Sequence, residues 1–219
     1  MPTALFSVYD KGGVTQFAKT LNGLGWKLLA SGGTAKAIAD ANIPVTDIAS
    51  IVGEPILGHR VVTLSREIHA GLLAQNNAKD RAELDQLGIE FIDLVYINLY
   101  PLMKTMADPN ATFEMLTEQT DIGGPAMLRS AAKGGRLVVV DAEDIPSVLI
   151  HLKSNQGMLG NSTEIARRLA EKAERTVAAY GIASAVKFAD GDLHTERVLR
   201  TAYQQLTGQE LLVRFQRAH

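Results

Sequence analysis

The sequence predicts an α/β protein: a three-layer, mainly parallel sheet with helices on both faces, followed by a helical C-terminal extension. Two observations predict it. Short apolar runs are each followed at once by a glycine-bearing turn, and each turn opens into a stretch of helical periodicity. Strand, turn and helix in repetition is the pattern of a parallel sheet, whose crossovers need a helix each.

The elements justify this in order. Ala4–Tyr9 is a first strand that ends at Asp10-Lys11-Gly12-Gly13, and Val14–Leu24 carries Val14, Phe17, Ala18, Leu21 and Leu24 on one helical stripe. Trp26–Ala30 is a second strand, Ser31-Gly32-Gly33-Thr34 its turn, and Ala35–Ala41 an alanine-rich helix. Ile43–Ile48 reads as a third strand, and Ile51–Arg60, with Gly53, Pro55 and Gly58, as a loop. Helices are expected over Ser65–Leu73, Asp80–Leu87, Phe113–Glu118 and Met127–Ala132. Phe91–Asn98 is the strongest strand signal, Arg136–Val140 is a last buried strand, and Ile145–Leu152 and Glu164–Ala185 are amphipathic helices. The tail from Asp190 is polar, with a terminal helix expected through Leu206. The expected division is a nucleotide-binding domain over 1–185 and a C-terminal extension over 186–219.

Composition narrows the function classes. Of 219 residues, 46% are hydrophobic and 21% charged, which is ordinary for a chain with a buried core. A net charge of −2 gives no basic footprint for nucleic acid, so any phosphate is held locally by backbone N–H groups and a lysine or two. The absence of cysteine excludes disulfides, thiolate metal sites and a cysteine nucleophile. No leader is legible at the N-terminus, and no run approaches the roughly 20 apolar residues of a membrane helix, so a cytoplasmic location is expected.

In a parallel sheet, ligands sit beyond the carboxyl ends of the strands. Three glycine turns fall there: Lys11-Gly12-Gly13, Ser31-Gly32-Gly33-Thr34 and Asp121-Ile122-Gly123-Gly124. Glycine permits close approach of backbone to a phosphate, and helix N-termini supply unpaired N–H groups. None of the turns matches a P-loop or a dinucleotide fingerprint. A single Gly-Gly turn serves as readily to punctuate a fold; three on one edge point to a phosphate or nucleotide.

Five ordered stretches carry a resemblance: Ser7-Val8-Tyr9-Asp10-Lys11, Ala30 through Lys36, Asn98-Leu99-Tyr100-Pro101, Asp121 through Pro125, and Leu128 through Lys133. The chain resembles the cyclohydrolase domain of the bifunctional purine-biosynthesis enzyme that makes inosine monophosphate, whose fold is similar to that of methylglyoxal synthase. The resemblance implies dehydrative ring closure of a formamido-imidazole-carboxamide ribonucleotide, without metal or cofactor, on a small-molecule purine nucleotide, with no nucleic-acid or membrane partner. It implies catalytic roles for Asp121, Lys133 and Tyr100: base or orienter, oxyanion stabiliser and proton donor, and polariser of the formyl oxygen. It places Ser7, Lys11, Ser31, Gly32, Gly33, Thr34, Arg60, Thr63, Asn98, Ile122, Gly123 and Gly124 along the substrate. A homodimer is the family's state, while the sequence itself leaves oligomeric state open.

Each role has a plain counterpart. Asp121 could cap the helix near Gly123, Lys133 could complement that helix's dipole, and Tyr100 could close the core. One departure stands out: Val62 occupies the position of a family active-site lysine, and Ser65-Arg66 replaces His-Pro. Arg66 stays protonated and cannot serve as an acid. Tyr9 stands where the family has serine, and His69 reads as structural. The companion formyltransferase domain is not in these residues, which suits a stand-alone protein or a fragment alike; the altered stretch around Val62 inclines the expectation to a divergent stand-alone member that acts on the usual precursor or a related nucleotide. A nucleotide-sensing module without catalysis is the reading from another class.

Overall fold

The computed structural model describes residues 1–160, 162–189 and 192–214. The expectations for Asp190 and for the end of the tail, residues 215–219, fall outside the described residues. The chain divides into two compact units, Met1–Asn98 with Gly123–Ala173, and Leu99–Ile122 with Glu174–His219.

The first unit is built on a five-stranded, all-parallel sheet in the order β3-β2-β1-β4-β5. The strands are β1 (Thr3–Val8), β2 (Lys27–Ala30), β3 (Thr46–Asp47), β4 (Leu94–Asn98) and β5 (Leu137–Val139). Helix α1 (Val14–Gly23) joins β1 to β2, α2 (Gly32–Asp40) joins β2 to β3, and the short α3 (Ala49–Val52) follows β3. Next come α4 (Arg66–Leu73) and α5 (Ala78–Leu87). Beyond β4 the chain forms α6 (Leu102–Met106) and α7 (Phe113–Glu118), then α8 (Gly123–Lys133), which leads into β5. A 3₁₀ turn (Ala142–Asp144), α9 (Ile145–Ser154), α10 (Thr163–Lys187) and α11 (Leu193–Thr207) complete it.

Right-handed crossovers decide which helix covers which face. The chain moves outward from β1 through β2 to β3, then returns to the other side of β1 for β4 and β5, so helices from the two halves land on opposite faces. On one face Ala4, Phe6, Val8, Leu28, Ala30, Leu94, Tyr96, Leu137 and Val139 share a core with Val14, Phe17 and Leu21 of α1, Ile38 of α2, Val148 and Leu152 of α9 and Leu169 of α10. Phe6, Phe17 and Tyr96 meet edge to face there, with ring centroids 5.7–6.4 Å apart. The alternate residues, Leu5, Leu29, Val95, Ile97 and Val138, are equally buried and turn to the other face, where α8 lies on β4 and β5 with α4 beside it.

Arg136 holds α4 at its end. Its buried guanidinium donates to the carbonyls of Leu72 (2.9 Å), Gly71 (3.4 Å) and Ala74, groups that a helix C-terminus leaves unpaired, and it stacks on Phe91. Desolvation pulls its pKa down to about 10, against the opposing charge of Asp93.

The second unit has its own small core of Leu102, Met106, Ala111, Leu116, Ala179, Tyr180, Ala183, Val186, Tyr203 and Leu211. Helix α10 is long enough that its residues fall in both units, Thr163 to Ala173 in the first and Glu174 to Lys187 in the second.

Most elements match the sequence expectations, with shifts at their ends. The third strand contracts from six expected residues to Thr46–Asp47, because only Thr46 and Asp47 find ladder partners in β2. The fourth begins at Leu94 rather than Phe91, since Phe91 packs under two guanidinium groups instead of joining the ladder. Helix α6 was not expected; Pro101 stands at its cap position.

Candidate functional site

The strand order reverses beside β1, between it and β4, so the crevice of a doubly wound sheet falls at the carboxyl ends of those two strands. In the first unit, Lys11-Gly12-Gly13 follows β1, Ser31-Gly32-Gly33-Thr34 follows β2, and Gly123-Gly124 opens α8.

The register puts Ser7 and Ser31 opposite one another where β1 and β2 end. Phe6 pairs with Ala30, the next residues on each chain share a face, and the Ser31 N–H donates to the Phe6 carbonyl at 3.0 Å. Their hydroxyls meet at 2.8 Å. Ser31 is the cap residue of α2, yet its hydroxyl does not cap the helix. Helix α1 likewise begins without a side-chain cap, behind Gly13 in the left-handed conformation at φ 73°. Two uncapped helix N-termini thus open at the ends of neighbouring strands, an arrangement suited to an anion.

Thr34, expected along the substrate, is instead 2% exposed. Its hydroxyl accepts from the Val8 N–H and donates to the Val8 carbonyl, each at 3.1 Å, which ties α2 to the end of β1. Lys11 is exposed, and its ammonium donates to the carbonyls of Val8 and Tyr9 (3.3 Å for the latter). Partial desolvation lowers its pKa, and the neighbouring Asp10 charge opposes the shift. Gly32 and Gly33 are exposed at the start of α2, and no atom outside their chain neighbours lies within 4 Å of where a Cβ would stand.

Asn98 closes β4. Its Oδ1 accepts from the N–H groups of Tyr9 (2.5 Å) and Asp10 (3.1 Å), and its Nδ2 donates to the Asp10 carbonyl at 2.9 Å. Asp10 in turn accepts from the Gly12 N–H at 2.9 Å. The side-chain amide expected to meet substrate is therefore engaged by the turn that carries Lys11.

The third turn starts α8. A Cβ on Gly123 would lie 2.2 Å from Thr63 Oγ1, so glycine is what allows Thr63 to reach the helix N-terminus. Gly124 is buried behind it. The segment bearing Thr63 follows an exposed turn closed by the Ile56–Val61 antiparallel bridge. Arg60 in that turn is exposed and donates to the Leu57 carbonyl at 3.4 Å, while Val62 is half-buried.

Lys133 is not brought to this edge. It is exposed in the last turn of α8, and a helical rise of about 1.5 Å per residue puts it roughly 15 Å along the axis from Gly123. There it complements the helix dipole.

Tyr100, Asp121 and Ile122 belong to the second unit, where Ile122 is exposed. The Asp121 N–H donates to the Tyr180 hydroxyl at 2.8 Å, and that hydroxyl donates to the Gln119 carbonyl at 2.8 Å. Burial first, with the charges of Asp121 and Tyr100 adding to it, raises the Tyr180 phenol well above its ordinary pKa; the Asp121 N–H works against that rise. A neutral phenol on α10 thus fixes the backbone from which Asp121 projects.

Asp10, Tyr96 and Tyr180 are the positioning residues that sequence reasoning missed. Tyr180 had one legible signal, a hydroxyl-bearing ring on the apolar stripe of an amphipathic helix. Asp10 was in view beside Lys11, but nothing in sequence marks it as closing the turn. Among the described residues, no group of three or more His, Asp or Glu is placed to hold a metal ion, and no helix is long and apolar enough to cross a membrane.

One solved structure shares this architecture closely. A crystal structure of ForH is 36% identical, covers 85% of this chain and 98% of that one, and superimposes with a TM-score of 0.74. A crystal structure of methylglyoxal synthase from Elizabethkingia anophelis NUHP1 is 17% identical over 68% of this chain and 76% of that one, with a TM-score of 0.38. A family model described as the MGS-like domain matches residues 13–126, more than half of the chain. The chain belongs to the MGS-like domain family.

Proposed function

We propose that this protein closes a ring on a formamido-imidazole-carboxamide ribonucleotide, yielding inosine monophosphate and water. The observation that carries the reading is the pair of uncapped helix N-termini at the ends of β1 and β2, with the Ser7 and Ser31 hydroxyls 2.8 Å apart beside them. Backbone N–H groups, two hydroxyls and Lys11 suit a phosphate monoester in a chain of net charge −2. The MGS-like family contains enzymes, and the ordered motifs of the cyclohydrolase domain supply the choice of reaction.

In that reaction the carboxamide nitrogen attacks the formyl carbon, and a carbon–nitrogen bond forms as the carbonyl becomes an alkoxide. Asp121 takes one carboxamide proton as the nitrogen adds and passes it to the alkoxide, which becomes a hydroxyl. The formamido N–H supplies the second proton as the carbon–oxygen bond breaks and its nitrogen forms the C=N bond, so water leaves with both protons accounted for. The resemblance gives stabilisation of the alkoxide to Tyr100. Lys133, to which the resemblance gives proton donation, is assigned no step here, because it stands at the far end of α8 from Gly123.

The reading is tested by adding the formylated imidazole-carboxamide ribonucleotide to the protein and following the inosine monophosphate chromophore, with Asp121→Asn in parallel. Turnover lost in the variant supports it; no turnover by the unaltered protein overturns it. A second reading, ring closure on a related formamido-carboxamide nucleotide, is favoured by Val62, which brings no charge or proton where the family has a lysine. Binding of inosine monophosphate without turnover of its precursor would favour that reading.

A further inference from the structure

We infer that Asn98 and Tyr96 of β4 set the affinity of this site for the phosphate end of its ligand by holding the Lys11 turn, without touching the ligand themselves. The inference rests on the phosphate-site reading above and goes beyond it, since it moves Asn98 from substrate contact to positioning.

Asn98 makes three hydrogen bonds to the backbone of Tyr9 and Asp10, using both of its amide functions. Two residues earlier on the same strand face, the Tyr96 hydroxyl reaches the Gly12 carbonyl at 3.4 Å. Burial raises the Tyr96 phenol's pKa, the charges of Asp10 and Asp141 add to the rise, and a hydrogen bond with the Asn98 side chain opposes it. The Tyr96 ring meets Phe6 and Phe17 edge to face, which orients its hydroxyl toward the turn.

The turn they hold contains two glycines, Gly13 at φ 73°, and would otherwise sample many backbone states. It is also held by the Asp10 to Gly12 contact, by the Lys11 ammonium on the carbonyls of Val8 and Tyr9, and by the N–H groups of Val14 and Phe17 in α1, which donate to the Lys11 and Gly13 carbonyls at 3.2 and 3.0 Å. The Asn98 side chain ties its first two residues to the neighbouring strand. Rigid presentation matters because an anion gains only what remains after the loop has been ordered.

The test compares inosine monophosphate with inosine by calorimetry on the full chain. In Asn98→Ala, affinity for the nucleotide should fall roughly ten- to thirty-fold, as loss of two or three hydrogen bonds implies, while inosine affinity changes little. Tyr96→Phe keeps the aromatic packing and removes the hydroxyl that meets the Gly12 carbonyl and the Asn98 side chain, so the same selective loss should appear at about threefold. Amide exchange at Tyr9 and Asp10 should accelerate in Asn98→Ala while α1 stays protected. Equal losses for nucleotide and nucleoside, or unchanged exchange at Tyr9 and Asp10, would overturn the assignment and leave the phosphate-site reading intact. Failure of the unaltered protein to prefer the nucleotide over inosine would overturn both.

Discussion

Thr63 and Gly123 are in such close approach that a single methyl group at position 123 would lie 2.2 Å from Thr63 Oγ1. The contact pins the segment after the Ile56–Val61 bridge to the first residue of α8. Gly123→Ala should therefore destabilise the protein by about 1–3 kcal/mol, the usual cost of forcing an extra group into a packed contact. Thermal denaturation reads the loss. Combining it with Thr63→Ala, which removes the clashing oxygen, should restore about 1 kcal/mol or more in a double-mutant cycle. Additive losses would mean that the two residues do not meet in solution.

The hydroxyl pair of Ser7 and Ser31 leads to a second expectation. Either one can turn its proton toward a phosphate oxygen while it accepts from the other, which is then the donor of the pair. Ser7→Ala and Ser31→Ala should each weaken inosine monophosphate by roughly three- to tenfold, the value of one hydrogen bond, and leave inosine unaffected. The double variant should lose less than the product of the two, because each hydroxyl orients the other. Titration calorimetry with both ligands checks it.

Lys133 separates the resemblance from the geometry. A proton donor at the reacting atoms would cost about 10²–10⁴ in rate when removed. A lysine exposed in the last turn of α8 should cost little: Lys133→Ala is expected to change turnover less than about threefold and stability by about 0.3–1 kcal/mol. Steady-state rates with the formylated precursor decide between them, with unfolding curves as the control.

His69 makes stability depend on pH. Burial lowers its pKa below the ordinary 6.5, while its Nδ1 meets Ser130 Oγ at 2.8 Å and its buried Nε2 has no partner among the described residues. The unfolded imidazole takes up its proton first as pH falls through about 6.5, so the unfolded state binds more protons and stability drops. The decline ends below the folded-state pKa, and stability from this group is fully present above 6.5. His69→Gln should flatten melting temperature against pH between about pH 7 and pH 5. An unchanged slope would place the pH dependence elsewhere.

The sequence by itself determined the layered parallel sheet and the order of its elements, because period-two burial, helical stripes and glycine turns are local consequences of backbone geometry. It also placed Ser31 and the three glycine turns at the carboxyl edge of the sheet, since strand, turn and helix succeed one another along the chain. Only the tertiary structure decided what those residues touch. That Asn98 faces the Tyr9–Asp10 backbone depends on β4 lying next to β1, across some ninety residues of sequence. That Thr34 is consumed by Val8 depends on how α2 docks. Lys133 stands one helix length from Gly123 because the segment between them is helical throughout, a consequence of the rise per residue that a motif read as a string does not express. Tyr180 reached Asp121 from a distant helix, and no spacing announces such a pairing. Local periodicity is written in neighbouring residues, whereas hydrogen-bond partners are chosen by packing, which joins residues far apart in the chain.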